Sequence, residues 1–188
     1  MKKVTLFAAG LLIASTSFGQ WSLDKAHSRL GFSVEHMKIS ETDGNFKDFD
    51  VKLASAKSDF SDAAIELTAD ANTVNTDMEA RDKHLRSADF FDVEKNPTIS
   101  FKSKSFKKVS GKQYKLTGDF TMHGVTKPVT LDAVFNGTTV NPMSKKTMAG
   151  FTVTGIVKRS EYALAATTPE ALLGENVKLR ANLEFSKD

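Results

Sequence analysis

The 188-residue sequence contains no cysteine, so it has neither a disulfide framework nor thiol catalysis available to it. A cysteine-anchored lipid is excluded on the same ground. Long hydrophobic runs are missing as well. Nothing after Ala14 approaches the roughly 20 apolar residues that a membrane helix needs, so the chain does not read as membrane-integral. Charge of one sign is also lacking: 26 Lys and Arg stand against 23 Asp and Glu, with the signs interspersed. Such a balance leaves no nucleic-acid footprint. Only 4 prolines occur, and polar aromatics are scarcer, with one Trp and two Tyr against 14 Phe. The bulky side chains therefore bring few hydrogen-bonding handles with them.

What is present begins with an export signal over Met1–Gly19. Lys2 and Lys3 precede an apolar run from Leu6 to Ala14, and Ser15-Thr16-Ser17 follows. Small residues at Ser17 and Gly19 predict cleavage before Gln20. Removing the signal takes the net charge from +3 to +1. The remaining residues 20–188 are read as one domain, without repeat, linker or low-complexity tract.

Across that domain apolar residues alternate with polar ones. Leu30, Phe32 and Val34 share one face of a first strand running from about Trp21 to Lys38. Phe49-Val51-Leu53 and Ala63-Ile65-Leu67-Ala69 repeat the pattern, as do Ile99-Phe101 and Tyr114 to Met122. Val129 to Phe135, Phe151-Val153-Val157 and Val177 to Phe185 complete about eight rows. A period of two, sustained this often, predicts antiparallel strands with one buried and one wet face.

Asp43-Gly44, Asn136-Gly137 and Asn141-Pro142 are turn formers, and Pro97 and Pro128 are expected at strand starts. Thr76-x-x-Glu79 is a capping box that predicts a helix over Asp77–Ala88. Its apolar stripe of Met78, Leu85 and Ala88 is thin, so it should lie across a surface or an opening. Thr168-Pro169-Glu170 predicts a second short helix ending at Gly174. Eight strands with one oily face can close as a sandwich or as a barrel, filled or hollow.

Four segments carry more than rhythm. Arg81-x-x-His84-Leu85-Arg86-Ser87-Ala88-Asp89-Phe90-Phe91-Asp92, with Asn96-Pro97-Thr98-Ile99-Ser100-Phe101, resembles the helix-to-strand signature of the YceI-like polyisoprenoid-binding family. Gly118 to Val129 resembles that family's central hairpin, and Arg159-Ser160-Glu161-Tyr162-Ala163-Leu164 its late arginine–serine motif. His27-Ser28 and Glu35-His36 resemble its opening strand. The resemblance implies an all-β fold, an eight-stranded antiparallel lipocalin-like β-barrel with one short capping helix. It further implies export to the periplasm and an isoprenoid or other long-chain lipid in the lumen. Positions 162 and 163 read Tyr-Ala where the family leads one to expect Phe-Gly. That puts the local loop geometry in question, because only glycine reaches positive φ cheaply.

On this reading the lumen lining is Leu30, Phe32, Val34, Val51, Ile65, Leu67, Phe101, Phe120, Leu131, Phe135, Phe151, Val153, Leu179 and Leu183. His36 continues the first inward row and Arg159 the Phe151–Val157 row, while Arg81 shares a helix stripe with Met78 and Leu85. These three are the candidates for meeting a ligand's head group. A buried arginine is costly unless partnered, so Arg159 should meet either an acidic side chain or an anionic ligand. No catalytic residue, cofactor or metal site is assigned: the four histidines are scattered outside ligand spacing, and no Gly-x-Ser-x-Gly elbow occurs. Two rival readings are a lipid head-group enzyme using His36 and Arg159, and a filled barrel that binds a partner through its outer surface. The helix face also offers a way for two copies to pair.

Overall fold

Alternation along the sequence becomes strand after strand in the computed structural model, which describes residues 19–187. The export signal expected over Met1–Gly19 lies, except for Gly19, outside them. The strands are β1 (Gln20–Leu23), β2 (Arg29–His36), β3 (Ser40–Phe46), β4 (Phe49–Ala54), β5 (Ala64–Asp70) and β6 (Val74–Asn75). The helix α1 (Glu79–Arg86) separates these from β7 (Thr98–Ser110), β8 (Gln113–Met122), β9 (Val125–Val140), β10 (Thr147–Lys158) and β11 (Leu173–Lys187). Every pairing is antiparallel, and β1 and β2 both return onto β11. Because β1/β2, β3/β4 and β5/β6 are each one bent strand, the segments make eight staves of a closed meandering barrel. Closure leaves the sheet without a free edge around most of its girth.

The bends have local causes. The expected strand Trp21–Lys38 breaks where the Asp24 side chain accepts from the amides of Ala26 at 3.0 Å and His27 at 3.3 Å, holding a 3-10 turn over Lys25–His27. Asp43-Gly44 is not a turn. Both residues lie inside β3, and the hairpin reverses at Met37 and Lys38 with φ of 52° and 59°. Gly44 is there for space: a β-carbon on it would come within 2.2 Å of Phe32 Cζ. Asn136-Gly137 is not a turn either, but a bulge within β9 opposite the Gly150/Phe151 register shift. Asn141 does make a turn, its side chain accepting from the amides of Met143 and Ser144. Pro97 precedes β7 as expected, whereas Pro128 sits within β9, on the stretch beyond Asp132 where β10 no longer pairs with it.

The helix is shorter than the capping box implied, and its box is wired differently. Thr76 turns to Asp82 rather than Glu79, with amide and hydroxyl both donating to Asp82 Oδ1 at 2.8 and 2.5 Å. Glu79 faces solvent and pairs with Arg86 at 2.8 Å. The second helix expected from Thr168 does not form among the described residues: two turns lead directly into β11. Of the carbonyls such a helix would use, that of Thr168 is taken by Arg159, as described below.

One end of the barrel is sealed by aromatic rings. Phe60, 1 % exposed, enters from the loop after β4 and packs 5.2 Å from Trp21, 5.0 Å from Phe135 and 5.0 Å from Phe151. Phe106 stacks on Tyr114 at 4.5 Å, and the Tyr114 hydroxyl donates to the Asp59 carbonyl at 2.6 Å. That bond, with Ser55 Oγ donating to Asp62 Oδ1 at 2.5 Å, fixes the loop that carries Phe60. Burying one such side chain contributes about 1.5–3 kcal/mol. The opposite end carries α1, the β2–β3 hairpin and the segment from Arg159 to Leu173.

Candidate functional site

The inward rows leave space between them. A cavity of ≈170 Å³ lies inside the barrel, walled by Leu30, Phe32 and Val34 of β2, Val51, Ile65, Leu67, Phe101, Phe120 and Leu131, and Phe151, Val153, Leu179 and Leu183. These are the residues that strand parity points inward, with one exception. Phe135 is not in the wall; its ring belongs to the aromatic seal, against Phe60 and Phe151. An apolar cavity of this kind stays dry, and an engineered one of about 150 Å³ holds benzene. The lumen thus has room for a small apolar group.

Arg159 borders this cavity at its mouth and is 3 % exposed. The ion pair expected of it is made at long range, with Glu175, and its hydrogen bonds go to the backbone. Its guanidinium donates to four backbone carbonyls: Nε to Gly174 at 3.1 Å, Nη2 to Thr168 at 2.7 Å and Leu173 at 3.0 Å, and Nη1 to Ala165. The nearest carboxylate, Glu175, stands 3.9 Å from Nε and is engaged by the Ser160 hydroxyl and amide. Arg159 and Ser160 thus fold the 165–175 segment over the mouth, and this explains why the two residues occur together. Carbonyl oxygens solvate a buried cation without requiring a second buried charge.

The turn between them needs a left-handed residue, and Ala163 fills it with φ 53° and ψ 21°. Its amide donates to Ser160 and the Leu164 amide to Arg159, so the alanine adopts the geometry that a glycine would. Tyr162 is buried against Phe120 at 5.5 Å, and burial raises the pKa of its phenol. His123 occupies a tight turn with Gly124, at φ of 51° and 72°, and its Nδ1 lies 3.0 Å from the Tyr162 carbonyl.

His36 ends the Leu30–Phe32–Val34 row but is exposed at the rim. Arg81 is half-buried and turned away from the cavity wall, donating to Thr76 Oγ1 at 2.7 Å and Thr76 O at 2.8 Å. No hydrogen bond joins His36, Arg81 and Arg159 among the described residues. His84 lies on the outside, 3.6 Å from Asp89 and against the Phe90 ring. Among the described residues no three His, Asp or Glu side chains converge as a metal site would require.

Several wall residues escape the strand rows. Leu85, Phe90 and Phe91 come from α1 and the turn after it, and Leu164, Ala165 and Leu173 from the segment held by Arg159. The thin stripe of α1 was the one sequence signal for the first group. The second group follows from the guanidinium's carbonyl contacts.

Residues 21–185 match the YceI-like domain family. A UPF0312 protein of Staphylococcus aureus (strain USA300) is 37 % identical over 170 residues, 88 % of this chain and 96 % of the relative. The crystal structure of the YCEI protein of Campylobacter jejuni superposes with a TM-score of 0.75 at 30 % identity, covering 100 % of this chain and 99 % of that one. A polyisoprenoid-binding domain from Saccharophagus degradans, implicated in plant cell wall breakdown, gives a TM-score of 0.65. At 14 % identity over 92 % of this chain and 100 % of that one, it is similar in fold.

Proposed function

This chain belongs to the YceI-like family, and we propose that it is an exported binding protein holding the tail of an isoprenoid or fatty-acyl amphiphile in its lumen. Its role is that of a carrier, store or scavenger, working by partition and release rather than by covalent chemistry. The observation that carries this reading is the apolar cavity of ≈170 Å³ inside the closed barrel. Each methylene moved from water into such a lining contributes about 0.8 kcal/mol. Six to eight of them give roughly 5–6 kcal/mol before association costs, so useful affinity also needs the rim and the rest of the chain. The likeness in fold to a polyisoprenoid-binding domain supports the ligand class. The basic and apolar stretches of Met1–Gly19 support export, and the periplasm is the compartment that the family resemblance favours.

The test is native mass spectrometry of the protein isolated from its own compartment without detergent, followed by solvent extraction and identification of the extract by mass. One isoprenoid or acyl molecule per chain is the expected result. A protein that is empty, and stays empty after incubation with isoprenoids and fatty acids, contradicts the reading.

A further inference from the structure

The rim of the cavity exposes apolar side chains that the fold does not use. Met37 and Ile39, at the tip of the β2–β3 hairpin, are 50 % and 83 % exposed, and Leu172 is 51 % exposed. They form one patch, since the Met37 amide donates to the Leu172 carbonyl at 3.0 Å. The patch is continuous with the lumen: Val34, three residues before Met37, and Leu173, next to Leu172, are both in the cavity wall. Stability does not account for the tip. Met37 and Lys38 both hold left-handed backbone, at φ 52° and 59°, where Asn-Gly is the low-cost pair. A non-glycine residue there is strained, and Met37 carries that strain while leaving an apolar side chain in water.

We propose that this tip, with Leu172, is a docking surface for a lipid bilayer, which sets the mouth of the barrel against the membrane interface so that a chain passes between bilayer and lumen without crossing water. The inference rests on the lipid-binding reading above. A zwitterionic lipid surface suits the patch because its lysine is already held by two carboxylates. Lys38 lies 3.3 Å from Glu170 and 4.0 Å from Glu35, so its charge is already neutralised and the patch meets a bilayer by apolar contact rather than by positive charge. It also suits a lumen that takes only part of a long chain, since the remainder then stays in the bilayer instead of in solvent.

The experiment is flotation with phosphatidylcholine vesicles, without any lumen ligand. The wild-type protein is expected to float with the vesicles, with little change between low and high salt, because apolar contact is not screened. M37S/I39S is expected to bind at least about tenfold more weakly, the effect of keeping one large apolar side chain out of lipid. M143S, at the exposed β9–β10 turn, is the control and should float like wild type. Met37→Asn suits the left-handed position and should raise the melting temperature while weakening vesicle binding, which separates docking from folding.

A wild-type protein that does not float, or an M37S/I39S variant that floats equally, overturns the proposal. So does binding that requires anionic lipid and vanishes in high salt. Concentration-dependent dimerisation abolished by M37S/I39S likewise overturns it, by assigning the patch to a second copy. Flotation needs no occupied lumen. Failure of docking with a loaded lumen therefore leaves the binding reading intact, and an empty lumen with intact docking removes the binding reading alone.

Discussion

The tip of the Phe32 ring occupies the space where Gly44 would carry a side chain: a β-carbon there would sit 2.2 Å from Cζ and 2.6 Å from Cε1. The two residues face each other across β2 and β3 in direct register. Gly44→Ala must therefore push Phe32 towards the lumen or open the hairpin. The expected cost is about 1–3 kcal/mol in chemical denaturation, with a cavity that takes up less of an acyl probe. Unchanged stability and uptake would show that Phe32 swings away freely.

Arg159 is expected to act as an anchor of the mouth segment. Arg159→Met removes four hydrogen bonds to backbone carbonyls and should cost about 3–5 kcal/mol, while exposing residues 165–172 to limited proteolysis. Arg159→Lys restores the charge but not the fork, so only part of the loss should return. Lipid probes with neutral and anionic heads should weaken in parallel. Selective loss of the anionic probe would instead place the guanidinium in contact with the head group.

Ala163→Gly should stabilise the protein by about 0.5–1 kcal/mol. It removes the left-handed penalty of Ala163 at φ 53°, less the added freedom of the unfolded chain. Denaturant midpoints of the two proteins decide it, and a destabilised glycine variant would mean that the alanine methyl is making a contact of its own.

Asp24 and His27 lie 2.9 Å apart, and their hydrogen bond holds the carboxyl below its ordinary pKa and the imidazole above. The imidazole's share of stability is complete below pH 6.5 and is lost as pH rises through the elevated folded value. The carboxyl's share is complete above pH 3.8 and is lost as pH falls through the depressed one. The pair therefore supports the turn between β1 and β2 most fully from pH 3.8 to 6.5. An NMR titration should show the His27 pKa dropping towards 6.5 in Asp24→Asn. No movement would mean that the carboxylate is not its cause.

Strand parity made most of the wall legible, because a row such as Leu30-Phe32-Val34 can bury only one face. The helix–strand signature and the Arg159-Ser160 motif added the family. β3 was hidden because its lumen-facing row, Thr42-Gly44-Phe46, is neither regularly apolar nor bulky, and Gly44 is small on account of a ring on another strand. Phe60 was hidden in Ser58-Asp59-Phe60-Ser61-Asp62, which reads as surface loop until Tyr114 and Ser55 are seen to hold it inward. Thr168-Pro169-Glu170 carried a genuine helix-start pattern, but a distant guanidinium takes the Thr168 carbonyl. Contacts made to backbone oxygens leave no mark on the residues that provide them.

The central claim is that the lumen itself is the binding site, and Val153→Trp tests it most directly. Val153 is part of the cavity wall, in register with Ala133 and Ala181 on the flanking strands, so a tryptophan there fills the space while leaving the strand pairs intact. Both proteins would be titrated with a fluorescent fatty-acid probe, with circular dichroism confirming the barrel. The account predicts one probe per wild-type chain and binding weakened at least about tenfold in Val153→Trp, the effect of excluding roughly two methylenes. Equal affinity and stoichiometry in a folded Val153→Trp protein would contradict it and move the ligand outside the barrel.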